Sequence, residues 1–200
     1  DIAAFAGGRQ VIITHGNGPQ IGHLAAAHAL VHDDTRLDVI GAESDGMLGY
    51  LIELEVANAL ADIGDERDVV TVLTAVVVDV DDPAFAAPTK PIGPSLDASA
   101  VRRLRLNHDW AFRAVPGPTG ERPRWRRVVA SPTPRTIVQT RAISRLVHSG
   151  TIVICAGGGG IPVMLDDHGR RTGVEAVVDK DLTSMRLGLA LGAERLLLLT

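Results

Sequence analysis

His15-Gly16-Asn17-Gly18-Pro19-Gln20 sets two glycines between an apolar run, Val11 to Thr14, and a helical pattern that begins at Pro19. Glycines let backbone amides approach a ligand, and a helix start offers unpaired N–H groups and a dipole that favours an anion. The chemistry that fits is the binding of a phosphate or carboxylate group. A tight turn with no ligand has the same local sequence. The spacing is not a dinucleotide fingerprint, because Ile21 stands where glycine is required, and no Gly-Lys-Ser/Thr follows to make a Walker A loop.

Three more segments carry candidate chemistry. In Pro88-Thr89-Lys90-Pro91-Ile92-Gly93-Pro94, three prolines stiffen the chain around a lysine. That suits a cation held in place on a lid, or an exposed rigid linker with an incidental lysine. Gly157, Gly158, Gly159 and Gly160 follow an apolar strand; four successive glycines are costly to order unless close backbone approach is used, and a flexible turn is the alternative. Glu175-Ala176-Val177-Val178-Asp179-Lys180-Asp181 puts a lysine between two carboxylates just ahead of a helix. Asp181 stands where an N-cap belongs, and a local ion pair would account for Lys180. The functional alternative has Lys180 binding phosphoryl oxygens while an aspartate fixes it.

Lys90 and Lys180 are the only lysines of the chain, against eighteen arginines. Where arginine is the default cation, a lysine in a Gly/Pro-punctuated segment points to a task for a compact ammonium, such as tracking a transferring phosphoryl group. His28 and His32 share a helix face by their i, i+4 spacing but lack a third ligand, so no metal site is assigned. Cys155 reads as a small buried apolar residue rather than a nucleophile.

The elements that must position these residues alternate between strand and helix. A helix from Pro19 to about Val31 follows the first turn, and a second from about Ser44 to Ala61 carries an apolar stripe of Met47, Leu48, Leu51, Ile52, Leu54 and Val56. Val69 to Val80 reads as one strand buried on both faces of a parallel sheet. Nine of the eleven prolines then fall between Pro83 and Pro134, with Trp110, Trp125 and the basic run Arg124, Arg126 and Arg127. A parallel-sheet core does not tolerate that composition, so residues from about 80 to 130 are expected to form a lid subdomain inserted into the α/β body. Alternation resumes with a helix from about Thr136 to His148, a strand from Thr151 to Ala156, and a hairpin across Asp166 to Gly169. A strand from Val174 to Val178, a helix from about Leu182 to Leu191 and a strand from Arg195 to Leu199 complete the pattern. The chain opens on what reads as the tail of a helix and stops at Thr200, where a buried strand would deliver its carboxyl end to a ligand crevice, so both ends are expected to lie inside a longer domain.

Two hundred residues, 46% hydrophobic and 22% charged, suffice for one sizeable core. A net charge of -4 gives no general attraction to nucleic acid or an anionic membrane, so the expected partners are small molecules. One cysteine cannot form an internal disulfide, and no apolar stretch is long enough to span a bilayer, which fits the cytoplasm.

Six segments together closely resemble the carbamate kinases, within the wider amino-acid kinase superfamily. They are VIITHGNGPQIG (Val11 to Gly22), GAESDGMLGY (Gly41 to Tyr50), VVVDVDDPAF with PTKPIGP (Val76 to Pro94), WRRVVASPTP (Trp125 to Pro134), CAGGGGIPV (Cys155 to Val163) and GVEAVVDKDLTS (Gly173 to Ser184). HGNGPQ alone indicates only the superfamily; PTKPIGP and GAESDGMLGY are specific to carbamate kinases. The resemblance implies an αβα sandwich around an open, mainly parallel eight-stranded sheet, a protruding subdomain over the active site, and a homodimer. Residues 1–200 would be part of that kinase domain.

It implies the reversible reaction of carbamoyl phosphate and ADP to carbamate and ATP, with Mg²⁺ accompanying the nucleotide, in many bacteria the last step of arginine breakdown by the deiminase route. Gly16, Asn17 and Gly18 would hold carbamate and the travelling phosphoryl group, Lys90 would reach in from the lid, and Lys180 would neutralise phosphoryl charge. Asp181 would orient the lysines, and Gly157 to Gly160 would shape the crevice. No residue is expected to ligate a metal. Ala75, Val80 and Ala130 depart from the family's usual glutamine, proline and proline, outside the catalytic motifs. The family's opening strand with its Gly-Gly-Asn turn, and a C-terminal portion with most of the nucleotide pocket and a further lysine, have no counterpart here, so this stretch alone is expected to be inactive. The alternatives are another amino-acid kinase or an inactive anion-binding relic.

Overall fold

The computed structural model describes residues 2–31, 35–116 and 123–199. In chain order the helices are α1 (Ile2–Ala6), α2 (Gly18–Leu30), α3 (Leu37–Ala61), α4 (Ala98–Asn107), α5 (Thr140–His148) and α6 (Lys180–Leu191). The strands are β1 (Ile12–Ile13), β2 (Val69–Val72), β3 (Ala75–Val77), β4 (Lys90–Leu96), β5 (Ala111–Val115), β6 (Arg124–Val129), β7 (Thr136–Ile137), β8 (Ile152–Cys155), β9 (Ile161–Leu165) and β10 (Arg171–Gly173).

A parallel sheet, β1-β8-β2, forms the centre, with β8 buried throughout. Because strand side chains alternate between faces, its residues divide between two layers of helix. Ile13, Val69 and Ile152 pack with Ala3 and Ala6 of α1 and Val56 and Leu60 of α3. Ile12, Val70, Val153 and Cys155 pack with Ile143 and Val147 of α5 and Leu187 of α6. Each fully buried Ile, Leu or Val contributes about 1.5–3 kcal/mol, so the two layers hold the sheet firmly. This is the helix-sheet-helix sandwich that the resemblance implied.

The predicted single strand over 69–80 is two. β2 belongs to the central sheet, the chain breaks at Leu73-Thr74, and β3 joins a second sheet of order β10-β9-β3-β7. β8 and β9 make the same step: the four glycines lie between them, and Ile161 N donates to the Thr74 carbonyl at 2.8 Å. Thr74, fully buried, fastens the crossing by donating to the Val72 carbonyl (2.7 Å) and accepting from Ala156 N (3.0 Å). Continuous β-branched composition cannot reveal such a break, which depends on what the neighbouring strand does.

Other differences have similar causes. Thr136–Ile137 pairs antiparallel with β3, so the helix placed at 136 starts at Thr140. Val174 to Val178 is not a ladder; apart from the bridge between Ala130 and Ala176, Val174 and Val178 pack with Val78 and Ala130, while Val177 packs with Ile92 and Val129. Arg195 to Leu199 forms no strand: Leu196 to Leu199 are 50–85% exposed, and apolar composition without an adjacent edge makes no ladder. The hairpin expected across Asp166 to Gly169 is present between β9 and β10.

The proline-rich stretch forms its own antiparallel sheet, β4-β6-β5, with α4 between β4 and β5. Pro91 and Pro94 are tolerated because β4 is an edge strand, and the register shifts between Ile92 and Leu96, where Gly93 has φ +70°. The basic run serves mainly this excursion, though Arg127 also reaches Glu175 at 3.5 Å. Arg124 donates to the Ser95 carbonyl and Arg126 to that of Gly93, while the Arg127 guanidinium lies 3.8 Å from the Trp110 ring centroid. β4 docks on α2 so closely that a Cβ on Gly22 would overlap the Gly93 backbone. Ile92 and Val129 share a core with Ile21, Ala25, Leu37 and Ile40.

Candidate active site

β1 ends at the His15-Gly16-Asn17-Gly18 turn, and Gly18 and Pro19 open α2, a position that suits proline because its missing N–H would be unpaired anyway. β8 ends in a 3-10 turn over Gly157–Gly159. Gly158, Gly159 and Gly160 have φ of 60°, 98° and 83°, a region that a side chain makes costly. Gly158 N donates to the His15 carbonyl at 2.8 Å, joining the two turns.

All four glycines of the run are buried rather than forming a flexible turn, and each faces something different. A Cβ on Gly157 would meet the His15 ring at 2.5 Å and Asp45 Oδ1 at 2.9 Å, and one on Gly158 would overlap the Asn17 amide. One on Gly159 would lie 2.6 Å from the Val178 carbonyl, and one on Gly160 would meet Val76 and Thr74. The run therefore lets the Asn17 turn and the start of α6 close on each other. Thr183 Oγ1 donates to the Gly159 carbonyl (2.8 Å), and Thr14 and Ser184 pair through their hydroxyls (2.8 Å).

Both lysines arrive here from opposite directions. Lys180, in the first turn of α6, lays its stem along Gly16, where a Cβ would stand 3.4 Å from its Cδ. Lys90, at the start of β4, donates from Nζ to the Val178 carbonyl at 2.9 Å. Each has an acid: Lys90 Nζ lies 3.7 Å from Asp179 Oδ2 and Lys180 Nζ 2.7 Å from Asp181 Oδ1. Burial lowers the Lys90 pKa and the neighbouring Lys180 charge adds to this, while Asp179 and Asp181 oppose it. Partial burial pushes Asp179 up, but backbone N–H donors of α6 and the Lys90 charge leave it below the usual carboxylate range.

The N-cap of α6 is Asp179, not Asp181: its carboxylate accepts from Asp181 N (2.9 Å) and Leu182 N (3.2 Å). Asp181 is two residues further in and is left for Lys180. Sequence alone could not separate them, since two aspartates flank the lysine and the first helical residue decides which one caps.

Ser44 and Asp45 were not among the sequence-derived candidates, and both belong to this cluster. They are buried in mid-helix on α3, where Asn17 Nδ2 donates to Ser44 Oγ (2.8 Å) and Asp45 Oδ1 (3.3 Å). Burial pushes the Asp45 carboxyl up to about 8 against the opposing bond from Asn17. Burial also lowers the His15 pKa. The signal in the sequence was the break in apolar spacing at Ser44-Asp45-Gly46. The expected stripe is divided: Val56 is buried, whereas Met47, Leu51 and Leu54 are 42–49% exposed.

Of the remaining candidates, Cys155 is buried on β8, where burial raises its thiol to about 12, beyond useful nucleophilicity near neutral pH. His28 lies 3.0 Å from Glu43, and His32 is outside the described residues. Among the described residues no group of three or more His, Cys, Asp or Glu could hold a metal ion, and no helix is long and apolar enough to cross a membrane.

Known proteins resemble this chain in sequence and in fold. A carbamate kinase of Rhizobium meliloti is 45% identical over 203 residues, covering 100% of this chain and 60% of the relative, and one of Pyrococcus horikoshii is 44% identical over 98% of this chain and 62% of the relative. Among solved structures, a carbamate kinase from Giardia lamblia bound to AMP-PNP superposes with a TM-score of 0.79 at 34% identity, over 95% of this chain and 61% of that one. The same enzyme bound to citric acid gives 0.82 at 35% identity, over 96% and 63%. The chain thus spans about three fifths of the length of these relatives. The amino acid kinase family model matches residues 1–200. With the β1 and β8 turns closing on the start of α6 in a helix-sheet-helix sandwich, the match over the full chain establishes that this chain belongs to the amino acid kinase family.

Proposed function

We propose that the complete protein is a carbamate kinase, transferring a phosphoryl group reversibly between carbamoyl phosphate and ADP to give carbamate and ATP, as in arginine breakdown by the deiminase route. One observation carries the reading: the only two lysines of the chain meet beside a double glycine turn at the N-terminus of α6. A helix N-terminus favours anions, and two ammonium groups brought to it, each steadied by its own aspartate, suit an anionic phosphoryl group. The 44–45% identity to carbamate kinases supports this member of the family.

In the forward direction a β-phosphate oxygen of ADP attacks phosphorus as the bond to the carbamate oxygen breaks. No enzyme nucleophile is required, because phosphoryl transfer depends on in-line positioning and charge stabilisation. Gly16, Asn17 and Gly18 hold the acyl end and the phosphoryl group, while Lys90 and Lys180 offset charge on the phosphoryl oxygens. Asp181 fixes Lys180, and Asp179 fixes Lys90 while capping α6. The excursion over 80–130 acts as a lid with a firm hinge, since Ile92 and Gly93 are packed against α2 beside Lys90. Mg²⁺ would enter with the nucleotide on its phosphate oxygens; the acids beside the lysines are engaged with them. The expected setting is a cytoplasmic enzyme acting on small molecules.

The test is ATP formation from ADP and carbamoyl phosphate by the protein expressed from its complete reading frame. Activity with acetylglutamate and none with carbamoyl phosphate would replace this reading with another amino-acid kinase. No activity with either would favour a relic.

A further inference from the structure

The Asn17 amide is held in one orientation. The Ser44 hydroxyl donates its one hydrogen to the Gly41 carbonyl at 2.8 Å, so toward Asn17 it can only accept, and the atom 2.8 Å away must be Nδ2. The second Nδ2 hydrogen goes to Asp45 Oδ1 at 3.3 Å. Asn17 Oδ1 is left over. It accepts from no donor among the described residues, yet it is not sealed off: the one buried side-chain atom without a partner among them is Thr71 Oγ1. Asn17 is thus an almost fully buried residue, 5% exposed, that presents a single open acceptor in the turn crossed by the Lys180 stem.

We propose that Ser44 and Asp45 are positioning residues that turn Asn17 Oδ1 toward the acyl group of the substrate, where it accepts a hydrogen bond from a substrate N–H. Together they select a carbamoyl group over an acetyl group. This rests on the carbamate kinase reading and adds what that reading leaves open, namely which feature of the acyl end is recognised. A carbamoyl nitrogen donates to a fixed acceptor. The acetyl methyl is of similar size, donates nothing and leaves Asn17 Oδ1 unpaired. Sites built to bond a substrate N–H discriminate strongly against analogues lacking it, whereas pockets that sense only size do not. Without Ser44 the amide can turn over and present Nδ2 to the substrate as a donor; without Asp45 it keeps its sense but loses the second of the two bonds that hold Oδ1 in place.

The experiment compares carbamoyl phosphate with acetyl phosphate as phosphoryl donors to ADP, measuring kcat/KM for each in the complete protein and its variants. In Ser44→Ala and Asp45→Ala the carbamoyl-to-acetyl preference is expected to fall at least about tenfold, chiefly through carbamoyl phosphate. Asp45→Asn keeps an acceptor oxygen at this place and is expected to retain the preference. A purely structural role would lower both donors together, so a wild-type ratio in the two alanine variants overturns the proposal. Thermal melting verifies that each variant folds; if Ser44→Ala does not, the contrast between Asp45→Ala and Asp45→Asn decides alone. A wild-type protein that makes no ATP from carbamoyl phosphate refutes the functional reading and this inference with it. Activity with an unchanged ratio refutes the inference only.

Discussion

Lys180 sits in the first turn of α6, where a cation opposes the helix dipole at a cost of about 0.3–1 kcal/mol. A residue kept against a local preference, with Lys90 drawn in beside it, is what a site for a transferring phosphoryl group requires. Lys180→Arg preserves charge but replaces a point ammonium by a planar fork, and is expected to lower kcat roughly 10²-fold with melting temperature unchanged. Lys90→Ala is expected to lose activity on a similar scale; near-wild-type kinetics for either would remove that lysine from the mechanism. Asp45 makes a different prediction. With its carboxyl raised to about 8 from 3.8, the folded chain retains a proton that the unfolded chain releases, so stability falls as pH rises between those values and levels off above them. Asp45→Asn should flatten the stability-pH profile measured by denaturant titration, gaining several kcal/mol over wild type at pH 8, at roughly 1.4 kcal/mol per unit of the shift, and little at pH 4. The lysines and glycines were legible because rare or costly residues stand out in a sequence. Ser44, Asp45 and Asp179 were not, because an ordinary polar residue becomes part of a site only through the face its helix turns inward or the residue at which the helix starts.

At the scale of elements, the contact between α2 and β4 sets where Lys90 can reach. It connects the glycine turn, through the helix that follows it, to the strand that delivers the lysine. Gly22→Ala would force a methyl into the Gly93 backbone, and overpacking of that kind costs about 1–3 kcal/mol. The expected result is a lower melting temperature together with reduced kcat, because β4 and Lys90 move away from α6. A drop in stability with kcat unchanged would mean that β4 does not set the lysine's position. Helices α2, α5 and α6 were readable to within a few residues from apolar period and glycine breaks. Strand partners were not. The division of 69–77 into β2 and β3 depends on the glycine run eighty residues away, and the antiparallel sheet of the excursion is stabilised by arginines bonding to carbonyls, a pattern without hydrophobic period.

At the scale of the whole molecule, the order of helix and strand gave the α/β class and the resemblance implied the sandwich, while the exposed face of α3 carries information that the apolar pattern concealed. Met47, Tyr50, Leu51 and Leu54 recur at helical spacing and are 42–62% exposed. We expect this stripe to lie in a homodimer interface, in keeping with the resemblance to carbamate kinases. Tyr50→Asp with Leu51→Asp should then convert a dimer into a monomer by light scattering, and an unchanged dimer would place the interface elsewhere. The central claim concerns chemistry, and one assay reaches it directly. The protein from its complete reading frame, supplied with Mg²⁺, ADP and carbamoyl phosphate, is predicted to form ATP, with the rate falling roughly 10²-fold in Lys180→Arg. No ATP from carbamoyl phosphate, or an equal rate in that variant, would contradict it.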